Sequence, residues 1–377
     1  MEKIFKELNN LKDKDFSFSK GNILGSMCTQ PHQIAKKAYN NFLETNLGDP
    51  ELFPGTKEIE SKLINYLLNL LNAPRTSTCL IGSGGTESNI NAIWYMKNIS
   101  GKKEIIVPDS AHFSFEKIRS LMDIDIITIP LDKNFVMDIS RVGKKISKKT
   151  AGIVGIAGST ELGTIDPIQE LSDICYDENI FLHIDAAFGG FVIPFMKGIG
   201  YDLPEFDFKL KGVSSISIDP HKMGCSAIPL GVLVVRNKKW LENISVDTTY
   251  ISSKKQAGIL ATRSGGPVAA AYAVIEYFGE EGYKKIVKRC INNTKFLMKE
   301  INALGLELVT KPILNVLGIS LKDPDKVAKE LTKLGWKVNK MDRLSAIRIV
   351  LMPHVTKKRL QNFIPDLKKV CIKLGEI

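Results

Sequence analysis

His183-Ile184-Asp185-Ala186-Ala187-Phe188-Gly189-Gly190 follows directly on Phe181-Leu182. Phe181 to Asp185 is a short, mainly apolar run, the pattern of a strand buried on both faces. Similar runs recur at Glu104 to Val107, Asp125 to Ile129, Gly152 to Ala157, Ser214 to Asp219 and Leu230 to Val235, most of them separated by amphipathic stretches long enough for a crossover helix. Buried strands joined by helices predict an α/β fold with a mainly parallel sheet covered on both sides. Ligands gather at the carboxyl ends of such strands. Asp185 closes one run and Asp219-Pro220-His221-Lys222 closes another, so both are candidates for a site.

Upstream, Ile59, Leu63, Leu67 and Leu70/Leu71 recur at helical spacing, and Pro74 closes that helix. Cys79-Leu80-Ile81 then leads into Gly82-Ser83-Gly84-Gly85-Thr86-Glu87-Ser88-Asn89, which opens a helix running to Lys97. Downstream of Gly265-Gly266-Pro267 the pattern turns helical, through Val268 to Phe278 and Gly282 to Ala303. Strand-like runs at Gly305 to Val309, Leu314 to Ser320, Trp336 to Asn339 and Ala346 to Met352 then alternate with helices at Pro324 to Leu334 and after Thr356. The expected layout is an N-terminal arm over residues 1–55, a large domain over 56–280 and a smaller α+β domain over 281–377.

The chain has 377 residues and a formal net charge of +11, with 44% hydrophobic residues, 16 prolines and 29 glycines. That composition excludes a disordered or collagenous chain. The longest apolar stretches fall well short of the roughly 20 residues that span a bilayer, and Met1 to Asp15 has no signal-peptide pattern, so a soluble cytoplasmic protein without membrane contact is expected. Six dispersed cysteines without a C-x-x-C pair point to reduced thiols and no metal centre. The positive charges are interspersed with Glu, Asp and Asn and lack aromatic interleaving, so nucleic acid is not the expected partner.

Three segments carry chemistry. In the glycine loop, close backbone approach and free N–H groups at a helix start suit a phosphate, although a capped glycine turn has the same look; the loop has neither Walker nor dinucleotide spacing. Asp185 at a strand end can hold a positive charge in a dry site, and the small Ala187 leaves room for a flat ring; an Asp capping a turn is the plainer alternative. Lys222 lies between a buried strand and a glycine-containing continuation, where desolvation makes an amine more nucleophilic, unless it is a surface lysine. A phosphate cradle, a carboxylate and a buried amine together are what pyridoxal phosphate requires.

With these residues in view, the sequence resembles the group II pyridoxal-phosphate decarboxylases, and within them the archaeal L-tyrosine/L-aspartate decarboxylases of methanofuran and coenzyme A biosynthesis. The resemblance extends from Gly21-Asn22-Ile23-Leu24-Gly25-Ser26-Met27-Cys28 and Glu44-Thr45-Asn46-Leu47-Gly48-Asp49-Pro50 to Leu351-Met352-Pro353-His354. It implies fold type I, the aspartate-aminotransferase architecture, with a mainly parallel seven-stranded sheet and a small C-terminal α+β domain. It implies that Lys222 forms the Schiff base, Asp185 pairs with the pyridine nitrogen, Ala187 and His112 cover the two ring faces, Gly85, Thr86 and His221 hold the phosphate side, and Thr160 lies beside the ring hydroxyl. Lys222, His112 and Asp185 are thus the catalytic expectation. Ser26, Asn46, Arg348 and Tyr250 are the substrate-side candidates, and a structural ion pair remains open for Arg348.

The implied reaction is α-decarboxylation of L-tyrosine to tyramine, L-aspartate to β-alanine, or both, in a homodimer to which Arg263 belongs at the partner-facing loop. Animal relatives carry a long loop whose tyrosine donates a proton to Cα; here Tyr250 to Arg263 is short and its only tyrosine is Tyr250, which leaves His112 or Lys222 for that step. A cysteine desulfurase using Cys225, a carbon–carbon lyase and, more remotely, a basic nucleic-acid-binding protein are the alternatives.

Overall fold

The computed structural model describes residues 1–249 and 253–377. It divides into two compact units: Pro31–Lys288, and Met1–Gln30 together with Arg289–Ile377.

The larger unit is built on seven strands: β1 (Thr78–Gly82), β2 (Glu104–Pro108), β3 (Asp125–Ile129), β4 (Thr150–Ile156), β5 (Phe181–Asp185), β6 (Val213–Ile218) and β7 (Gly231–Val235). Their order is β1-β7-β6-β5-β4-β2-β3. Both neighbours of β7 pair with it antiparallel, while β2 through β6 pair in parallel, so β7 alone runs against the rest. The fold is therefore α/β of the expected kind. β4, β6 and β7 are buried at every position, which is why β4 and β7 show no polar alternation, whereas β6 buries Ser214, Ser215 and Ser217. A two-stranded hairpin, β8 (Ser245–Asp247) with β9 (Lys255–Ala257), follows.

The helix Gly85–Ser100 packs on this sheet and is buried almost all round, through Ile90, Ile93, Tyr95 and Met96 against Ile105, Val154 and Leu233. Each fully buried aliphatic side chain of this size contributes about 1.5–3 kcal/mol. The same helix buries Glu87, Asn89 and Asn91, and buried polar groups need partners. For Glu87 and Asn89 those partners lie in the site.

The smaller unit holds an antiparallel sheet of β10 (Val316–Ser320), β11 (Asn339–Met341) and β12 (Ala346–Val350), in the order β10-β12-β11. Gly305 to Val309 does not become a strand; only an isolated bridge joins Leu308 to Ile319. The long helix Gly265–Ala303 is interrupted at Gly279, whose φ of 54° is a left-handed value that glycine tolerates, close to the break expected between Phe278 and Gly282.

The expected arm over residues 1–55 is not one segment. Leu24 bonds the backbone of Lys337 and Val350 and goes with the smaller unit, whereas Leu47 and Thr45 bond Arg263 and Gly265 and go with the larger one. The division falls between Gln30 and Pro31, and again at Lys288, rather than at residues 55 and 280. Backbone pairing, invisible in composition, decides it.

Arg263 is the tie that holds the 45–48 segment down. Its guanidinium reaches Glu60 Oε1 at 3.1 Å, the Ile81 carbonyl at 3.3 Å and the Leu47 carbonyl at 3.3 Å. Glu60 is buried, and its other oxygen pairs with Lys57 at 2.6 Å, so removing Arg263 leaves Oε1 and two backbone carbonyls without their donor while Lys57 still balances the charge. Arg263→Met is expected to lower unfolding free energy by about 2 kcal/mol, read from urea denaturation; a loss below about 0.5 kcal/mol would show that the tie is not structural.

Candidate active site

The carboxyl ends of the parallel strands converge on one cavity of about 350 Å³, within the range of small-ligand sites, about 300–1,000 Å³. β1 delivers Ser83 to Thr86, β2 delivers Ser110 and His112, β4 delivers Gly158 and Thr160, β5 delivers Asp185 and Ala187, and β6 delivers Asp219, His221 and Lys222. Eight of the sequence candidates thus come together: Gly85, Thr86, His112, Thr160, Asp185, Ala187, His221 and Lys222.

At the glycine end, Glu87 Oε2 accepts from the backbone N–H of Ser83 at 2.7 Å and from its hydroxyl at 2.8 Å, pinning the loop. No side chain caps the helix that begins at Gly85, so its first N–H groups remain available to an anion. The space is tight. Because β7 is reversed, its first residue, Gly231, starts beside this loop, and a Cβ there would lie 2.3 Å from Gly84 Cα. A Cβ on Gly85 would press on Ala187 and Asp219 at 3.1 and 3.2 Å.

Asp219 is buried at the end of β6. Lys222 Nζ lies 3.1 Å from its Oδ2, and His221 Nε2 lies 3.7 Å from the same oxygen. Its other oxygen, Oδ1, is buried without a hydrogen-bond partner among the described residues. Burial lowers the His221 pKa, with Asp219 pulling the other way, and His221 Nδ1 packs against the Leu230 backbone.

Asp185 accepts from the Ala187 N–H at 3.1 Å and from Asn89 Nδ2 at 3.0 Å. Across from it, His112 Nδ1 accepts from the Ser114 N–H at 3.2 Å, which leaves the proton of the neutral ring on Nε2. Burial holds the His112 pKa below the usual histidine value, against an opposing pull from Asp185. Thr160 sits on a turn braced from below: Asp166, fully buried, accepts from the backbone N–H of Ile156 and of Met137, each at 2.8 Å.

These groups fit pyridoxal phosphate. The uncapped loop suits the phosphate, Asp185 a protonated ring nitrogen, the small Ala187 a ring face, and the Lys222 amine a covalent link. The buried Asp219 Oδ1 and the cradle at Gly85, which a side chain would fill, are the observations that favour a bound group here.

The substrate-side candidates are placed differently. Asn46 does not line the cavity; its amide oxygen is held by the N–H groups of Gly48 at 2.8 Å and Arg263 at 3.2 Å. Ser26 and Arg348 belong to the smaller unit, where Ser26 Oγ accepts from Cys28 N–H and Arg348 Nη2 donates to the Gly25 carbonyl at 2.7 Å. Tyr250 lies outside the described residues. Sequence reasoning passed over Asp219, Asn89 and His183 as individual contributors, although all three stand inside the motifs it quoted. Their signal was polarity at positions that the fold buries.

Residues 41–322 match the pyridoxal-dependent decarboxylase conserved domain. The chain belongs to that family. It is 45% identical, over 95% of its own length and 99% of the other's, to the "Probable L-tyrosine/L-aspartate decarboxylase" of Methanothermobacter thermautotrophicus. It is 46% identical to the "L-aspartate/L-glutamate decarboxylase" of Pyrococcus horikoshii, over 98% of this chain and 97% of that one. Among solved structures, a sphingosine-1-phosphate lyase from Burkholderia pseudomallei superposes with a TM-score of 0.91 at 26% identity, covering 98% of this chain and 90% of that one. The decarboxylase is thus a fold-type-I enzyme whose cofactor is pyridoxal phosphate. Among the described residues no helix is long and apolar enough to cross a membrane.

Buried titratable groups give the decarboxylase an acid response of known sign. Burial lowers the His183 pKa to about 4 from 6.5, so as pH falls through that window the unfolded chain takes up a proton that the folded protein does not, and stability is lost. Asp166 acts in the opposite sense: burial raises its pKa to about 6 from 3.8, so the folded protein takes up the proton first and gains stability over the same range. Asp166→Asn removes the opposing uptake. Urea titrations between pH 6 and 4 should show the loss of stability steepening by up to about 1.4 kcal/mol per pH unit; an unchanged slope contradicts the assignment.

Proposed function

We propose that the decarboxylase removes the α-carboxylate of L-aspartate to give β-alanine and carbon dioxide, with L-tyrosine as a second substrate giving tyramine. The observation that carries the chemistry is the convergence of Lys222, Asp185 and His112 on one cavity floored by the glycine loop. For the substrate, L-aspartate appears in the names of both of these decarboxylase relatives. The reading extends to a cytoplasmic homodimer whose products serve coenzyme A or methanofuran synthesis, as the sequence resemblance implies.

When bound, pyridoxal phosphate supplies a covalent handle for amines and an electron sink for the pair left at Cα as carbon dioxide departs. The residues supply the rest. The N–H groups at the start of the Gly85–Ser100 helix would bind the phosphate, with Thr86 and His221 at its flank. Asp185, held by two N–H donors, would face the ring nitrogen and favour its protonated form, which stabilises developing negative charge. Ala187 and His112 would cover the two ring faces, and Thr160 would lie at the turn beside them. Asp219, 3.1 Å from Lys222 Nζ, positions the amine that would anchor the cofactor and that could hold the proton destined for Cα. His112 carries its proton on Nε2, directed away from the Ser114 backbone, and is the other group able to serve that step.

A carbon–carbon lyase on the same scaffold is favoured by one observation, the likeness to the sphingosine-1-phosphate lyase, but identity to the two decarboxylases is far higher. A desulfurase finds no support: Cys225 is buried and its thiol donates to the Met223 carbonyl at 3.5 Å.

Purified enzyme should release carbon dioxide fastest from L-aspartate when L-aspartate, L-tyrosine and L-glutamate are assayed side by side, and Lys222→Ala should abolish that release. His112→Phe should retain cofactor while kcat falls about 100-fold or more. Full activity in Lys222→Ala, or turnover of none of the three amino acids, overturns the proposal.

A further inference from the structure

A chain of buried side chains runs beneath Asp185. Asn89 is 1% exposed and His183 is 0% exposed. Asn89 Nδ2 donates to Asp185 Oδ2 at 3.0 Å and to Ser114 Oγ at 3.0 Å. Its amide oxygen accepts from Ser217 Oγ at 2.6 Å and lies 3.0 Å from His183 Nε2. His183 Nε2 also lies 3.0 Å from Ser217 Oγ, and Nδ1 lies 2.8 Å from Ser215 Oγ, which accepts from Tyr95 OH at 2.9 Å.

Donor and acceptor bookkeeping gives this chain one direction. Ser217 spends its hydrogen on the Asn89 oxygen, so His183 Nε2 faces two acceptors and must carry the imidazole proton. Nδ1 is then an acceptor, served by the Ser215 hydroxyl, whose own oxygen is free to receive Tyr95. Two donors fix the Asn89 amide oxygen, and its N–H groups therefore point to Ser114 and Asp185. The flipped amide would set an oxygen against the Asp185 carboxylate and an N–H₂ against two donors, leaving several buried groups unsatisfied.

We propose that Asn89 and His183 form a positioning pair that locks one amide orientation and so holds the Asp185 carboxylate aimed at the cofactor's ring nitrogen. Neither residue reaches the cavity chemistry through its own titration: His183 stays neutral and acts by donating from Nε2, and Asn89 acts by donating to Asp185. The inference rests on the reading that Asp185 faces the ring nitrogen.

The test uses holoenzyme reconstituted with pyridoxal phosphate labelled with ¹⁵N in the ring, read by NMR for protonation of that nitrogen, beside cofactor dissociation constants measured on the apoprotein. His183→Leu and Asn89→Ala should both shift the ring signal toward the unprotonated form and weaken cofactor binding about tenfold or more, while His183→Gln, which can present an N–H where Nε2 stood, should restore both toward wild type. Thermal melting establishes that each variant is folded; if His183→Leu is not, Asn89→Ala carries the decision. Wild-type ring signal and affinity in either folded variant overturns the proposal. Asp185→Asn separates the two levels. If it leaves the ring signal unmoved, the role of Asp185 itself fails, whereas a moved signal there with unmoved signals in His183→Leu and Asn89→Ala removes only the positioning pair.

Discussion

The parallel pairing of β5 with β6, which sets Asp185 opposite Ser217, is the constraint on which the rest of the site depends. Because the two strands end together, the carboxylate that closes one and the Asp219-to-Lys222 turn that closes the other open into the same cavity. A slip of one residue in β5 would turn Asp185 to the opposite face, and one in β6 would do the same to Ser217. Complete burial of β6, and of all but the first residue of β5, makes that slip costly, since it would exchange fully packed positions along both strands. The geometry of the cavity is in this sense a by-product of core packing.

Charge is managed by the same architecture. Two carboxylates, a lysine and two histidines share the cavity, which in low dielectric requires each charge to have a defined neighbour. Lys222 has Asp219, and Asp185 has two N–H donors. Burial pushes both cavity histidines, His112 and His221, toward the neutral form, so the site does not accumulate positive charge beside Lys222. The surplus of positive charge over the whole chain plays no part in this balance beyond drawing anions toward the protein.

Much of this was legible in the sequence because the decisive residues punctuate apolar runs. Asp185 and Lys222 stand where buried strands stop, and the glycine loop stands where a run gives way to a helix. Other features depend on tertiary pairing that no local pattern records. The reversal of β7, which brings Gly231 against Gly84, is one. The division of the N-terminal 55 residues between two units is another, since it turns on backbone bonds from Leu24 and Leu47 to residues some two to three hundred positions away. Gly305 to Val309 has strand-like composition yet forms only one bridge. Asn89 and His183 were visible as polar residues in motifs, but their partnership required knowing that a helix and two strands bury them face to face. Asn46 stood out as a polar residue suited to aspartate; its amide oxygen is held by the N–H groups of Gly48 and Arg263, a pairing that no local pattern records.

The central claim is that the strand-end turn delivers Lys222 to the cofactor. Reducing the holoenzyme with borohydride and mapping the modified peptide by mass spectrometry tests it most directly. The account predicts a single pyridoxyl adduct, on Lys222 within the Asp219 to Gly224 peptide segment. An adduct on any other lysine, with Lys222 unmodified in the coloured holoenzyme, would contradict it.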